Sequence, residues 1–193
     1  MDGEAGAREQ VMSGSRPLTI GAGTSRLLVK TFAGGPLAAF GHDLVFAAPI
    51  HKGEITFDAE KLTGSVNLRI RTDTIALQGD KSEKDRREIE RTLKEKVLEV
   101  SQYGEIVYIS DEATIRKVDG GYEVEVAGSL TIHGVTRHQP VRAKVIPTGS
   151  MLRAFGEFSV RLSDFAIEQV TVAGGAMKVK DEIKATFDIV ARA

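Results

Sequence analysis

Residues 119–132 read DGGYEVEVAGSLTI. Asp119-Gly120-Gly121 is turn chemistry, because adjacent glycines take the positive φ angles that tight hairpins require. From Tyr122 onward the apolar residues fall on alternate positions: Tyr122, Val124 and Val126, then through Gly128 to Leu130 and Ile132, with Glu123 and Glu125 between. A period of two places that row on one face of a strand and the charges on the other. Ile115–Val118 precedes the turn and is the expected hairpin partner.

The same period extends in both directions. Downstream, His133-Gly134 ends the strand, and a partner is expected from Val141, where Val141, Ala143 and Val145 alternate with Arg142 and Lys144. Thr148-Gly149-Ser150 leads to Leu152, Ala154, Phe158 and Val160, and the last row is Ile183, Ala185, Phe187 and Ile189. Upstream, the rows are Leu27 and Val29; Leu44, Phe46 and Ala48; Ile55 and Phe57; and Val66, Leu68 and Ile70, with Thr63-Gly64 read as the turn before the last. Residues 82–98, SEKDRREIERTLKEKVL, break the pattern. Ile89, Leu93 and Val97 form a narrow i, i+4, i+8 stripe, Ser82 and Asp85 make a weak capping box, and Glu83–Arg87 and Glu90–Lys94 are favourable i,i+4 pairs. The expected order is about four strands, one amphipathic helix lying on the body, then about six strands. Short strands with one apolar face predict an all-β antiparallel sandwich or barrel, and the lack of βαβ alternation excludes a parallel nucleotide-binding sheet.

Composition narrows the function. With 193 residues the chain suits one domain, expected over 17–193 behind a small, polar, Gly-rich tail at 1–16. Net charge is −1, without the basic footprint of a nucleic-acid binder. Cysteine is absent, which removes thiol catalysis, disulfides and cysteine-based zinc sites. The N-terminus carries no secretory signal and no window is apolar enough to span a membrane, so the chain as written is expected to stay in the cytoplasm.

Chemical motifs are sparse. The histidines are His42, His51, His133 and His138, none in a metalloprotease-like helix motif, and the five-residue spacing of His133 and His138 is not diagnostic of metal ligation. His42-Asp43 with a distant partner such as His133 is the one candidate metal or base grouping, against a plain turn reading. No nucleophile elbow is present, and the glycines at 21–23, 33–35 and 173–175 fit no phosphate-binding motif. On the expected inner face, Phe57, Phe158 and Phe187 stand beside Ala143, Ala154, Ala185 and Gly156. Such mixing permits a channel holding one ligand or a solid layered core, and the residues alone leave both open.

Residues 124–145, VEVAGSLTIHGVTRHQPVRAKV, resemble the signature strand pair of the YceI-like, polyisoprenoid-binding, lipocalin-like family, in which Gly128, Leu130, Thr131, Ile132, Gly134, Val135 and Thr136 match its G-x-LTI-x-GVT piece. Gly53–Asp58, Ser65–Ile75, Asp85–Leu98 followed by Tyr103, Ile106 and Tyr108, and Gly156–Phe165 are similar to further pieces in the family's order, and Gly41-His42-Asp43-Leu44 resembles a GHDL variant. Gly104 stands where the family carries proline and Ala166 where it carries glycine. The resemblance implies a lipocalin-like barrel of about eight strands, a helix packed on it, and a binding or carrier role for an isoprenoid or fatty-acid-like lipid without cofactor, metal or catalysis. It also brings a common periplasmic setting, and a homodimer is a further expectation. The pore residues expected on this reading are Leu44, Phe46, Ile55, Phe57, Val66, Leu68, Ile70, Val124, Val126, Leu130, Phe158 and Phe187. The alternatives are an enzyme using His42 and Asp43 at the barrel mouth, or a solid-core scaffold or dimerisation domain.

Overall fold

The computed structural model describes residues 16–35, 43–172 and 177–193; residues 1–15 of the expected tail, His42 and the Gly-rich stretch at 173–175 lie outside them. Strands follow one another as β1 (Leu18–Ile20), β2 (Arg26–Thr31), β3 (Ala33–Gly34), β4 (Leu44–Ala47), β5 (Ile50–Asp58), β6 (Thr63–Arg71) and β7 (Ala76–Leu77). Helix α1 (Glu83–Thr92) comes next, followed by β8 (Glu105–Val118), β9 (Gly121–Ile132), β10 (Val135–Thr148), β11 (Met151–Arg161), β12 (Thr171–Val172), β13 (Met177–Val179) and β14 (Glu182–Arg192).

The main sheet runs β1-β5-β6-β8-β9-β10-β11-β14, and β14 pairs back onto β1, closing an eight-stranded antiparallel barrel. β14 also pairs with β2, β2 with β4, and β4 with β7, so β1/β2, β4/β5 and β6/β7 are three interrupted barrel strands. A small sheet, β12-β13-β3, stands at the rim.

Three strands therefore precede the helix, where four were expected. The rows at 44–48 and 54–58 belong to one bent strand, interrupted at Ala48-Pro49, where proline fixes φ and donates no ladder hydrogen bond. Five barrel strands follow the helix. The partner of β9 begins at Val135, paired with Ile132, and not at Val141. His133 and Gly134 form the whole turn, both at positive φ (50° and 72°), as a two-residue hairpin of this hand demands. The first half of β10 carries no apolar alternation because its pairing with β11 starts only at Lys144, leaving that stretch half-covered. Pro140 is tolerated there for the same reason. The β5–β6 turn spans 59–62, and Thr63-Gly64 already belong to β6, opposite Asp58 and Phe57. The buried Asp58 carboxylate accepts from the Glu60 and Lys61 N–H groups at 3.0 and 2.9 Å and shapes that turn.

The helix forms where its stripe predicts. Ser82 Oγ accepts from the Asp85 N–H at 3.1 Å, and Arg87 pairs with Glu83 at 2.9 Å. The helical run continues through Val97 as a wider turn in which the Leu98 N–H reaches the Leu93 carbonyl. Glu90 does not pair with Lys94; it turns to β7. Outside the barrel, charged rows meet across strands, as in Arg142–Glu125, Arg153–Asp188 and Lys184–Glu157. Such exposed pairs contribute at most about 1 kcal/mol each.

Candidate functional site: a hollow apolar lumen

The inward rows do not fill the barrel. They surround a cavity of about 630 Å³, within the ~300–1,000 Å³ range of sites that enclose small molecules. All twelve residues expected to line a pore stand on its wall: Leu44, Phe46, Ile55, Phe57, Val66, Leu68, Ile70, Val124, Val126, Leu130, Phe158 and Phe187. The interior is hollow rather than solid, which the mixture of phenylalanines and alanines had left undecided. Phe158 and Phe187 lean together with ring centroids 6.4 Å apart while Ala143, Ala154 and Ala185 leave space around them.

One end is sealed. Leu18 and Ala191 are fully buried, Leu152 nearly so, and the Phe57 and Tyr122 rings meet edge to face at 5.1 Å. Two-residue turns, Asp119-Gly120 and Gly149-Ser150, close the strands at that end.

The other end is covered by non-barrel elements. Ile89, Leu93 and Val97 of the helical segment face the cavity, so the stripe closes the lumen instead of merely resting on the body. Phe32, Val170 and Val179 approach from the rim, and Lys81, Asp85, Glu88 and Lys178 stand at the mouth. These mouth residues escaped the sequence reading because an isolated charge carries no period.

The interior hydroxyls are already engaged. Tyr108 Oη donates toward the Val126 and Gln139 carbonyls (3.2 and 3.0 Å), and burial pushes its pKa up to about 12. Ser110 Oγ reaches the Ala127 and Glu112 carbonyls at 2.6 and 2.8 Å. Among the described residues no buried side-chain polar atom lacks a partner. Among the described residues the wall thus presents mostly carbon.

The G-x-LTI-x-GVT stretch sets each of its glycines against a tyrosine. Tyr108 lies across Gly128, where an added Cβ would come within 2.5 Å of the ring and hydroxyl. Tyr103 lies against Gly134, where a Cβ would approach to 2.7 Å. Tyr103 also meets the His133 ring at a tilt, centroids 4.2 Å apart, and His133 Nε2 meets Glu99 Oε2 at 2.5 Å. The segment following the helix is thereby pinned to the β9–β10 turn.

The alternative histidine–aspartate site is not assembled among the described residues. Asp43 is engaged by Lys30 Nζ (3.0 Å) and the Ala33 N–H (3.2 Å), and the Lys30 hydrogen bond leads in holding its carboxyl below the usual range. His133 is occupied by Glu99 and Tyr103, and His42 lies outside the described residues. No grouping of three histidine or carboxylate side chains suited to a metal occurs among the described residues. No helix there is long and apolar enough to cross a membrane.

Known structures share this architecture. BcnA of Burkholderia cenocepacia is 18% identical, with a TM-score of 0.66 over 89% of this chain and 99% of its own. A polyisoprenoid binding domain from Saccharophagus degradans, implicated in plant cell wall breakdown, is 10% identical, with a TM-score of 0.65 over 91% and 98%. The YceI protein of Campylobacter jejuni is 14% identical, with a TM-score of 0.54 over 77% and 81%. No curated protein sequence matches the chain. Residues 38–191 match the model of the YceI-like domain, and this chain, with its eight-stranded barrel and helix-covered lumen, belongs to that family.

Proposed function

We propose that the protein binds, as a carrier and not as a catalyst, a lipid with a long apolar tail, of polyisoprenoid or fatty-acyl type, held in the lumen. The observation that carries this reading is the wall itself: a cavity of about 630 Å³ lined mostly by aliphatic and aromatic side chains, where the Tyr108 hydroxyl is spent on backbone carbonyls and those of Thr56 and Ser65 on each other. Desolvation of a tail at ~25 cal/mol per Å² of apolar surface supplies several kcal/mol without any polar contact. Recognition of that kind tolerates variation in chain length and branching. Lys81, Asp85, Glu88 and Lys178 stand at the mouth, which favours a ligand whose polar end lies there. The polyisoprenoid-binding relative of the same fold supports the tail class.

Solvent extraction of the purified protein followed by mass spectrometry tests the proposal. An apolar-tailed small molecule, released in near-stoichiometric amount, is expected. Recovery of none, together with no uptake of a fluorescent prenyl or fatty-acyl probe, contradicts it.

A further inference from the structure

The sealed end is closed by packed side chains, so the lumen is reached at the mouth, which helix α1 covers together with Phe32, Val170 and Val179 of the rim, and the structure shows what holds that helix down. β7 pairs with β4 along one edge, Phe46 opposite Leu77 and Ala47 opposite Ala76. Among the described residues its other edge meets no strand; two helix side chains take the strand's place. The Leu77 N–H donates to Glu90 Oε1 at 3.0 Å, Arg86 Nη1 donates to the Leu77 carbonyl at 2.5 Å, and Arg86 Nη2 donates to the Gly79 carbonyl at 2.6 Å. Arg86 and Glu90 lie one turn apart on one helix face and also face each other at 3.8 Å. A guanidinium supplies two donors in a fixed fork, and the carboxylate supplies the acceptor. Together they complete the ladder of an otherwise open edge.

The rest of the helix is held lightly. None of its residues is fully buried, and Ile89, Leu93 and Val97 are only partly buried where they meet the core beside the cavity. Its far end is anchored differently, through Glu99 and Tyr103 to His133. Between the two anchors the α-helical ladder gives way to the wider turn at Leu93–Val97, a looser hydrogen-bonding pattern.

We propose that Arg86 and Glu90 are a latch: their bonds to the edge of β7 keep helix α1 shut over the lumen, and their release lets the helix pivot on the Glu99–His133 anchor to admit or discharge the apolar ligand. The latch sets exchange rates rather than capacity, because neither side chain lies on the cavity wall. The role in ligand exchange rests on the carrier reading; the mechanical claim about the helix does not.

Two measurements separate them. In the ligand-free protein, hydrogen exchange of the helix amides should quicken at least tenfold in Glu90→Ala and Arg86→Ala relative to the amides of β9. Arg86→Lys should behave similarly, since one ammonium does not span both carbonyls. Glu83→Ala, which removes only the outer pair with Arg87, should leave helix exchange unchanged. Unaltered helix exchange in the folded latch variants overturns the latch. Stopped-flow mixing with a fluorescent long-chain fatty acid should then show uptake and release both accelerated several-fold in Glu90→Ala, with the bound stoichiometry equal to that of the unaltered protein. Unchanged rates overturn the gating role. Failure of the unaltered protein to take up any probe refutes the carrier reading, and the exchange data still decide whether the helix is latched.

Discussion

The two ends of the barrel satisfy their backbone in different ways. At the sealed end strand mostly meets strand, with Ser25 capping Val190 and Asp58 the β5–β6 turn. β1 pairs with both β5 and β14, two-residue turns join the hairpins, and Leu18, Leu152 and Ala191 are packed to near-zero exposure. At the mouth, strands are interrupted at Ala48-Pro49 and at the 3-10 turn Thr72–Thr74, and side chains finish what strands do not. Asp43 takes the Ala33 N–H, Glu90 takes the Leu77 N–H, and Arg86 takes the Leu77 and Gly79 carbonyls. A main-chain ladder is cooperative and rigid, whereas side-chain caps come apart one at a time. The fold thus packs most tightly at one end and relies more on side-chain contacts at the other.

Truncation at the sealed end should give the largest effect. Leu18→Ala leaves a void where no wall can collapse and should cost about 2–5 kcal/mol, read by denaturant unfolding. Leu93→Ala at the mouth, where the side chain is only partly buried beside the cavity, should cost well under half as much. Equal losses would dissolve the contrast between the ends.

The turns offer a sharper contrast. Gly149 and Gly134 both sit at positive φ, but nothing lies within 4 Å of a Cβ at Gly149, while Tyr103 stands at 2.7 Å from one at Gly134. Gly149→Ala should cost only the left-handed strain of about 1–2 kcal/mol. Gly134→Ala should add about 1–3 kcal/mol of overpacking against Tyr103. It should also speed exchange of the amides at 98–104, because that ring is part of the anchor.

The smallest effect concerns the wall between the ends. Tyr108→Phe should cost about 1 kcal/mol. The alkaline titration is the clearer readout: of the three tyrosines, one should ionise only at about pH 12, and that phase should vanish in Tyr108→Phe. The sign follows from burial. The folded state favours the neutral phenol, so its contribution is complete below pH ~10, the unfolded value, and is lost as pH rises through about 12. A Tyr108 that titrates near 10 would mean that the ring is not buried across Gly128.

Much of the barrel was legible because inward and outward residues alternate without exception along Tyr122–Ile132, and because the glycine turns mark the hairpins. The helix was legible from Ile89, Leu93 and Val97 with the Ser82 cap. What the sequence hid had physical causes. A bend at Pro49 reads as two strands. The start of β10 is polar because β11 pairs with it only from Lys144, so Arg137 and Gln139 occupy register positions opposite Leu130 and Gly128 without an apolar signature. Hollow and solid barrels share one pattern, since alternation fixes which way a side chain points and not how far it reaches. Arg86 and Glu90 look like two more charges on a solvated helix, because side chains bonded to main chain carry no sequence period.

The central claim is that the apolar ligand sits inside the barrel and not on it. The chain has no tryptophan, so a single one reports cleanly. Phe158 lines the lumen, whereas Phe155 lies on the outer face beneath the Arg153 guanidinium, 5.4 Å from its ring centroid. Phe158→Trp and Phe155→Trp should each be titrated with a brominated long-chain fatty acid, whose bromine quenches indole on contact. Saturable, near-stoichiometric quenching at position 158 with none at 155 is the predicted result. Equal quenching at both positions, or none at 158, would contradict it.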